Sequence, residues 1–302
     1  MFLSIITVVS LKEQCVNSSK YIIVKQIEWA KNQNINLIGS QGARGRKIYT
    51  TSIEENLFQP LNQQTREELI EGDGSELNGR TNHPAKIQAL NSSSALGINI
   101  FDYWRNFSDI SIIVSACGLT RSDNQITGKI QFEQKFSIDD RFQYAPNLDV
   151  VIYPDNPKTI KAYGVECKFT EPYSSRGHGG LDEKYLENQE IWQKLSNTKS
   201  LAQKISPIDS ESIYLHTAQL IKHILGLNRK FGRGAFRLLY LWYDVLGEPG
   251  YRHNQEIERF SEVVRLDGIK FHSITYQELI INLAKHRAGH EMYIRYLTDR
   301  YL

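Results

Sequence analysis

The chain has 302 residues, of which 40% are hydrophobic and 23% charged, with a formal net charge of +2. That length and apolar content can bury one large core, with or without an extension. The three cysteines, Cys15, Cys117 and Cys167, have neither an even count nor metal-ligand spacing, which argues against a disulfide framework or zinc ribbon and for a reducing cytoplasm. The near-neutral total does not exclude nucleic acid, because binding depends on where basic residues cluster.

The opening MFLSIITVVSL is apolar but too short to span a bilayer, and it lacks the basic start and cleavage site of a signal peptide. A strand or helix start packed on the body of the protein is expected there, with a misplaced start codon as the alternative. Residues 12–82 are polar, with helices expected over Tyr21–Lys31 and Gln64–Glu71. Between them GSQGARGRK reads as a flexible loop whose Arg44, Arg46 and Lys47 either grip a phosphate backbone or are merely solvated. The turn-rich EGDGSELNGRTNHP separates an N-terminal extension, residues 1–83, from a domain spanning 84–302. No internal repeat is visible.

Lys86–Trp104 reads as one helix with a broad apolar surface. KIQFEQKF alternates as a strand that puts Glu133 on a face with Gln131 and Lys135. Glu133 is then either a weak ligand candidate or an exposed position paired with a neighbouring lysine.

The most informative stretch runs from Phe142 to Tyr173. Apolar runs over Leu148–Tyr153 and Tyr163–Phe169 flank Pro154, Asp155, Asn156 and Pro157, the pattern of a β-hairpin. Alternation places Glu166 and Lys168 on one face and Val165, Cys167 and Phe169 on the other. A hairpin closing near Pro157 and Lys158 brings Asp149 roughly opposite Glu166, about 5 Å away. Like charges so placed repel unless a divalent cation lies between them. The two carboxylates and the backbone carbonyl of Cys167 are the oxygen ligands that Mg²⁺ prefers. Lys168 beside such a metal could orient a water or balance phosphate charge, so the set suits metal-assisted phosphodiester hydrolysis. A wet strand face with no such role is the alternative.

NLDVVIY followed by YGVECKF resembles the core of the PD-(D/E)xK nuclease superfamily. Together with SSSALGINIFDYW and ECKFTEPY it is similar to a bacterial restriction endonuclease-related family, over roughly Pro84 to Val245. Leu148, not Pro, precedes Asp149. The resemblance implies an α/β (α+β) restriction endonuclease-like core, with a central mixed β-sheet flanked by helices. It implies Asp149 and Glu166 as metal ligands, Lys168 as the catalytic lysine, Mg²⁺ as cofactor with Mn²⁺ able to substitute, and double-stranded DNA as partner. Superfamily members often carry an acid on the helix that Lys86–Trp104 would match. NSSSALGIN has none, which leaves Glu133 as the best third carboxylate.

Downstream, the Gly-rich SSRGHGG offers Arg176 as a phosphate clamp, with His178 as a solvated loop residue. A polar helix over Asp182–Leu195 is followed by an amphipathic one over Thr217–Leu227, where Gln219 and Lys222 share a face. Gln219 is the position matching the Gln or Lys that superfamily members present from this helix. From Lys222 through His223, Arg229, Lys230 and Arg233 to Arg237 there is no acid, so the stretch, partly on the loop NRKFGRG, reads as the phosphate-binding footprint. Ala235–Val245 reads as a buried strand, followed by a helix over Gln255–Leu266, a strand over Ile269–Tyr276 and a helix over Gln277–His286. His286 and His290 lack the intervening glutamate of a metalloprotease helix. The expected function is a Mg²⁺-dependent restriction-type DNA endonuclease, cytoplasmic, without a membrane segment, and able to act as a homodimer. A RecB-like processing nuclease and a non-catalytic DNA-binding module are the alternatives.

Overall fold

The computed structural model describes residues 18–42, 44–80, 82–121, 123–174 and 177–302. The apolar opening segment, Cys15 and Arg176 lie outside the described residues. The chain order is α1 (18–32), β1 (Leu37–Gln41), β2 (Arg44–Thr50), α2 (Gln63–Glu71), α3 (Ser93–Phe101), α4 (Ser111–Ala116), β3 (Gly128–Lys135), β4 (Asn147–Pro154) and β5 (Ala162–Lys168). Then come β6 (His178–Gly179), α5 (Glu183–Glu187), α6 (Ser196–Lys204), β7 (Ile208–Asp209), α7 (Thr217–Phe231), β8 (Phe236–Trp242), α8 (Glu248–Leu266), β9 (Phe271–Thr275), α9 (Tyr276–Ala284) and α10 (Glu291–Tyr301).

A five-stranded mixed sheet in the order β3-β4-β5-β8-β9 forms the centre, antiparallel from β3 to β5 and parallel from β5 to β9. Apolar residues of both strand faces are buried, as a sheet covered by helices on each side requires. On one face Val150, Ile152, Val165, Cys167, Leu239 and Leu241 pack with α3, α4, α9 and α10. On the other, Val151, Ala162, Leu238, Tyr240 and Trp242 pack with α6, α7 and α8. The mixed sheet flanked by helices is the expected architecture.

Local chemistry moves several boundaries. The single helix expected over Lys86–Trp104 is broken, because Ser92 caps a new helix, its hydroxyl accepting from the Ala95 N–H. Only a short 3-10 turn precedes it, at Lys86–Gln88. The helix expected over Asp182–Leu195 splits at Asn188, whose side chain accepts from Glu190 N–H to start a 3-10 turn. α7 runs four residues beyond Leu227 to end at Gly232, whose φ of +84° suits glycine. Arg229 and Lys230 are therefore helical and not part of a loop. α8 begins at Glu248, before the expected Gln255, with Pro249 in its first turn, where proline's missing N–H costs nothing. β1 and β2 pair antiparallel, so Arg44, Arg46 and Lys47 belong to a strand and project from β2 as exposed residues.

Ile22, Leu57 and Leu69, all before residue 83, belong to the same buried cluster as the sheet. Arg300 of α10 is 2% exposed and donates to Gln26, Asn56 and Tyr296, with its guanidinium 4.1 Å from the ring centre of Trp29. Among the described residues no helix is long and apolar enough to cross a membrane.

Candidate active site

The hairpin register is the one its turn residues suggest. Val150, Val151 and Ile152 pair with Val165, Gly164 and Tyr163, which puts Asp149 and Glu166 at the next position of the same ladder. Asp149 is half-buried, and its carboxylate accepts the Cys167 N–H at 2.7 Å. A strand residue sends its N–H and C=O to the same side, so the Cys167 carbonyl also leaves β5 toward Asp149. The Cys167, Val165 and Phe169 side chains enter the opposite core, as alternation requires.

Glu166 is 1% exposed. Its Oε1 lies 2.6 Å from Lys168 Nζ and its Oε2 2.9 Å from His223 Nε2 of α7. Neither contact is a well-directed hydrogen bond, so both oxygens lack an aligned donor. Burial alone would push Glu166 up, but Lys168 and then His223 outweigh it and hold the carboxyl down at about 2. Burial, and next the charge of Glu166, push Asp149 well above the usual carboxylate range. For Lys168 burial opposes the charge, yet Glu166 and Asp149 keep the ammonium above its ordinary range. The favoured arrangement is a negative Glu166 balanced by the Lys168 ammonium, beside an Asp149 that resists ionisation.

Glu133 completes the group from β3. The β3–β4 ladder runs Phe132 with Val150 and Gln134 with Leu148, so Glu133 faces Asp149 across a gap in the pairing. Its φ of +54° twists the backbone there. The Glu133 carboxylate accepts from the Asn147 side chain, and burial raises it to about 7, aided by the charges of Glu76, Glu166 and Asp73.

No three His, Cys, Asp or Glu side chains among the described residues form a ready-made metal cage. The donors are carboxylates that repel one another, with buried Glu166 oxygens lacking aligned partners. Such an incomplete oxygen set fits Mg²⁺, which keeps several waters and uses substrate phosphates as ligands.

α7 brings the expected Gln219 together with His216 and His223, which the sequence alone did not place here. His216, Gln219 and His223 recur at i, i+3 and i+7 on one helix face, and that periodicity was the available signal. His216 Nδ1 lies 3.2 Å from Gln219 Oε1, and its ring stacks on His178 at 4.9 Å between centres. His178 is thus a half-buried residue 3.1 Å from the Ile213 carbonyl and not a solvated one. Burial lowers both imidazoles, His216 to about 4 with help from His178 and Lys168, so both are neutral at pH 7. The segment before His216 is anchored by Glu256 of α8, which accepts the N–H groups of Ile213, Tyr214 and Leu215 at 2.8–2.9 Å.

The basic stretch is not brought together. Glu166 meets His223 while Gly164 faces Leu227, so α7 runs away from the carboxylates, and Arg229 lies about 9 Å further along the helix than His223. Arg229 pairs with Asp140 at 2.7 Å, Arg233 donates to the Asp267 carbonyl, and Arg237 donates to the Leu119 carbonyl on the other sheet face. Lys222 places its ammonium 5.3 Å from the Tyr185 ring centre, and Lys230 is exposed. Helical rotation and the start of β8 separate residues that are contiguous in sequence.

No curated protein and no solved structure matches the chain. A family model described as restriction endonuclease associating with ARP matches residues 24–302, which takes in every strand of the sheet and all the carboxylates above. The chain belongs to this restriction endonuclease-related family.

Proposed function

We propose that this chain is a Mg²⁺-dependent endonuclease that hydrolyses phosphodiester bonds in double-stranded DNA, serving restriction-type defence. The observation that carries the reading is the meeting of Asp149, Glu166 and Lys168 on adjacent strands, with Glu133 alongside on a third. Family membership supports a nuclease-like role.

Asp149 and Glu166 would hold the ion, with the Cys167 carbonyl and Glu133 next to them. Mg²⁺, with Mn²⁺ as a substitute, supplies Lewis acidity to a water and to phosphate oxygens. Lys168 orients the attacking water and balances charge on the scissile phosphate. The neutral His178 and His216 wall the site without adding charge. Gln219 and Lys222 on α7, Arg229, Lys230 and Arg233 beyond them, and Arg176 contact the DNA backbone in this reading. It extends to a cytoplasmic setting, a homodimer, and an ARP partner as the family description suggests.

A plasmid incubated with the full chain, with and without Mg²⁺, tests the activity. Cutting of closed circles supports the endonuclease, and degradation only from linear ends would support a processing nuclease. DNA binding without cutting in Mg²⁺ or Mn²⁺ would leave a binding module in its place.

A further inference from the structure

Glu166 has a cationic or donor group against each of its two oxygens, Lys168 Nζ on Oε1 and His223 Nε2 on Oε2. Both oxygens are therefore covered, and a divalent cation that binds either one comes up against the Lys168 ammonium or the His223 ring. The two differ in their freedom to move. His223 is 2% exposed on a 15-residue helix whose Leu220, Ile224 and Leu227 are locked in the core. Lys168 is the last residue of β5, its side chain 14% exposed on a flexible four-carbon stem, with Asp149 and Glu171 close enough to share its charge.

Resting on the nuclease reading above, we propose that Lys168 is parked on Glu166 in the metal-free protein and is displaced from Oε1 by the divalent cation, while His223 remains as the positioning residue that holds Glu166 by Oε2. Loading the site then frees the lysine for the substrate phosphate. The two contacts consequently act on metal affinity with opposite sign. Lys168 competes with the ion for one oxygen and repels it. His223 supports the ligand from behind, the role in which removing a partner costs about 10- to 100-fold in affinity.

The test is calorimetric titration of the full chain with Mg²⁺ at pH 8. Lys168→Met should bind Mg²⁺ more tightly than wild type, on the order of tenfold, because a like charge within a few ångströms is gone. His223→Ala should bind about 10- to 100-fold more weakly, and His223→Gln, whose amide can reach Oε2 in its place, should recover most of the loss. Thermal melts without metal check that each variant folds. Lysine side-chain NMR of wild type, with the Lys168 signal identified by its loss in Lys168→Met, should show that signal moving as Mg²⁺ is added. Should Lys168→Met not fold, the signal is identified with Lys168→Arg, and it alone decides. A Lys168 signal unmoved at saturating Mg²⁺ overturns the proposal, as does Lys168→Met binding no tighter than wild type or His223→Ala binding equally well. Wild type that binds Mg²⁺ and cuts DNA while the variants break this pattern overturns the inference alone. Wild type that takes up no Mg²⁺ yet cuts DNA in its presence also overturns the inference alone, and wild type that neither binds Mg²⁺ nor cuts DNA overturns both it and the nuclease reading.

Discussion

Glu133→Gln should stabilise the metal-free protein, and only above a definable pH. The Glu133 carboxyl rises from 4.5 to about 7 in the folded state, chiefly through burial. A raised carboxyl means that the folded protein holds one extra proton between about pH 4.5 and 7. Stability therefore falls as pH rises through that window, by up to about 1.4 kcal/mol per unit. The full shift of about 2.5 units amounts to roughly 3 kcal/mol, and partial exposure reduces it to about 2 kcal/mol. Glutamine keeps the shape and can still accept from Asn147 but carries no charge, so it escapes this loss. For 302 residues the unfolding entropy is about 0.6 kcal/mol per kelvin, and the gain becomes a rise in Tm of about 3 °C. Melting both proteins in EDTA at pH 4.5 and pH 8.5 makes the comparison. The two Tm values should coincide at the lower pH and separate at the higher. An equal difference at both pH values, or a variant less stable at pH 8.5, would refute the assignment of Glu133 as a charge held against its environment.

Lys168→Ala should reduce DNA cleavage in Mg²⁺ by roughly 10²- to 10⁴-fold while leaving DNA association intact, as read by plasmid cutting and gel shift. A parallel loss of both would assign the lysine to binding. Glu256→Ala removes the acceptor of three backbone N–H groups and should cost about 3 kcal/mol, or about 5 °C in Tm, with Glu256→Gln losing less. Replacing Arg229 and Lys230 together by Ala should lower the log–log salt slope of duplex binding by about 1.8. An unchanged slope in fluorescence anisotropy would place DNA away from the far end of α7.

The hairpin bearing Asp149 and Glu166 was legible because its signals are local. Alternation fixes which residues share a face, and the turn at Pro154–Pro157 fixes the register, so Asp149 and Glu166 could be placed opposite one another without any long-range knowledge. Glu133 was reachable by the same logic, although nothing in KIQFEQKF announces its left-handed backbone. His223 was missed because its partner is 57 positions earlier, and a histidine among lysines and arginines reads as one more surface cation. The basic stretch is spread out in space for the converse reason. Proximity in sequence is not proximity in space, because a helix turns its residues around an axis and the following strand sends Arg237 through to the other face. The break at Ser92 and the early start of α8 turn on capping hydrogen bonds and a first-turn proline, which periodicity does not register.

The buried guanidinium of Arg300 bears on the order in which the molecule assembles. It joins α10 to Gln26 across 274 positions, whereas the β4–β5 pairs span only 11 to 15 positions between partners. Loop-closure entropy grows only with the logarithm of length, so the distant contact is affordable once formed, but it cannot exist until the last helix has been synthesised. During translation Trp29 and its neighbours on α1 must wait, with apolar surface uncovered, after the hairpin bearing Asp149 and Glu166 has had time to close. The lasting hazard in this chain therefore lies at α1 and not at the central hairpin: truncation within α10 should yield a protein that aggregates through α1 while the hairpin keeps native hydrogen-exchange protection.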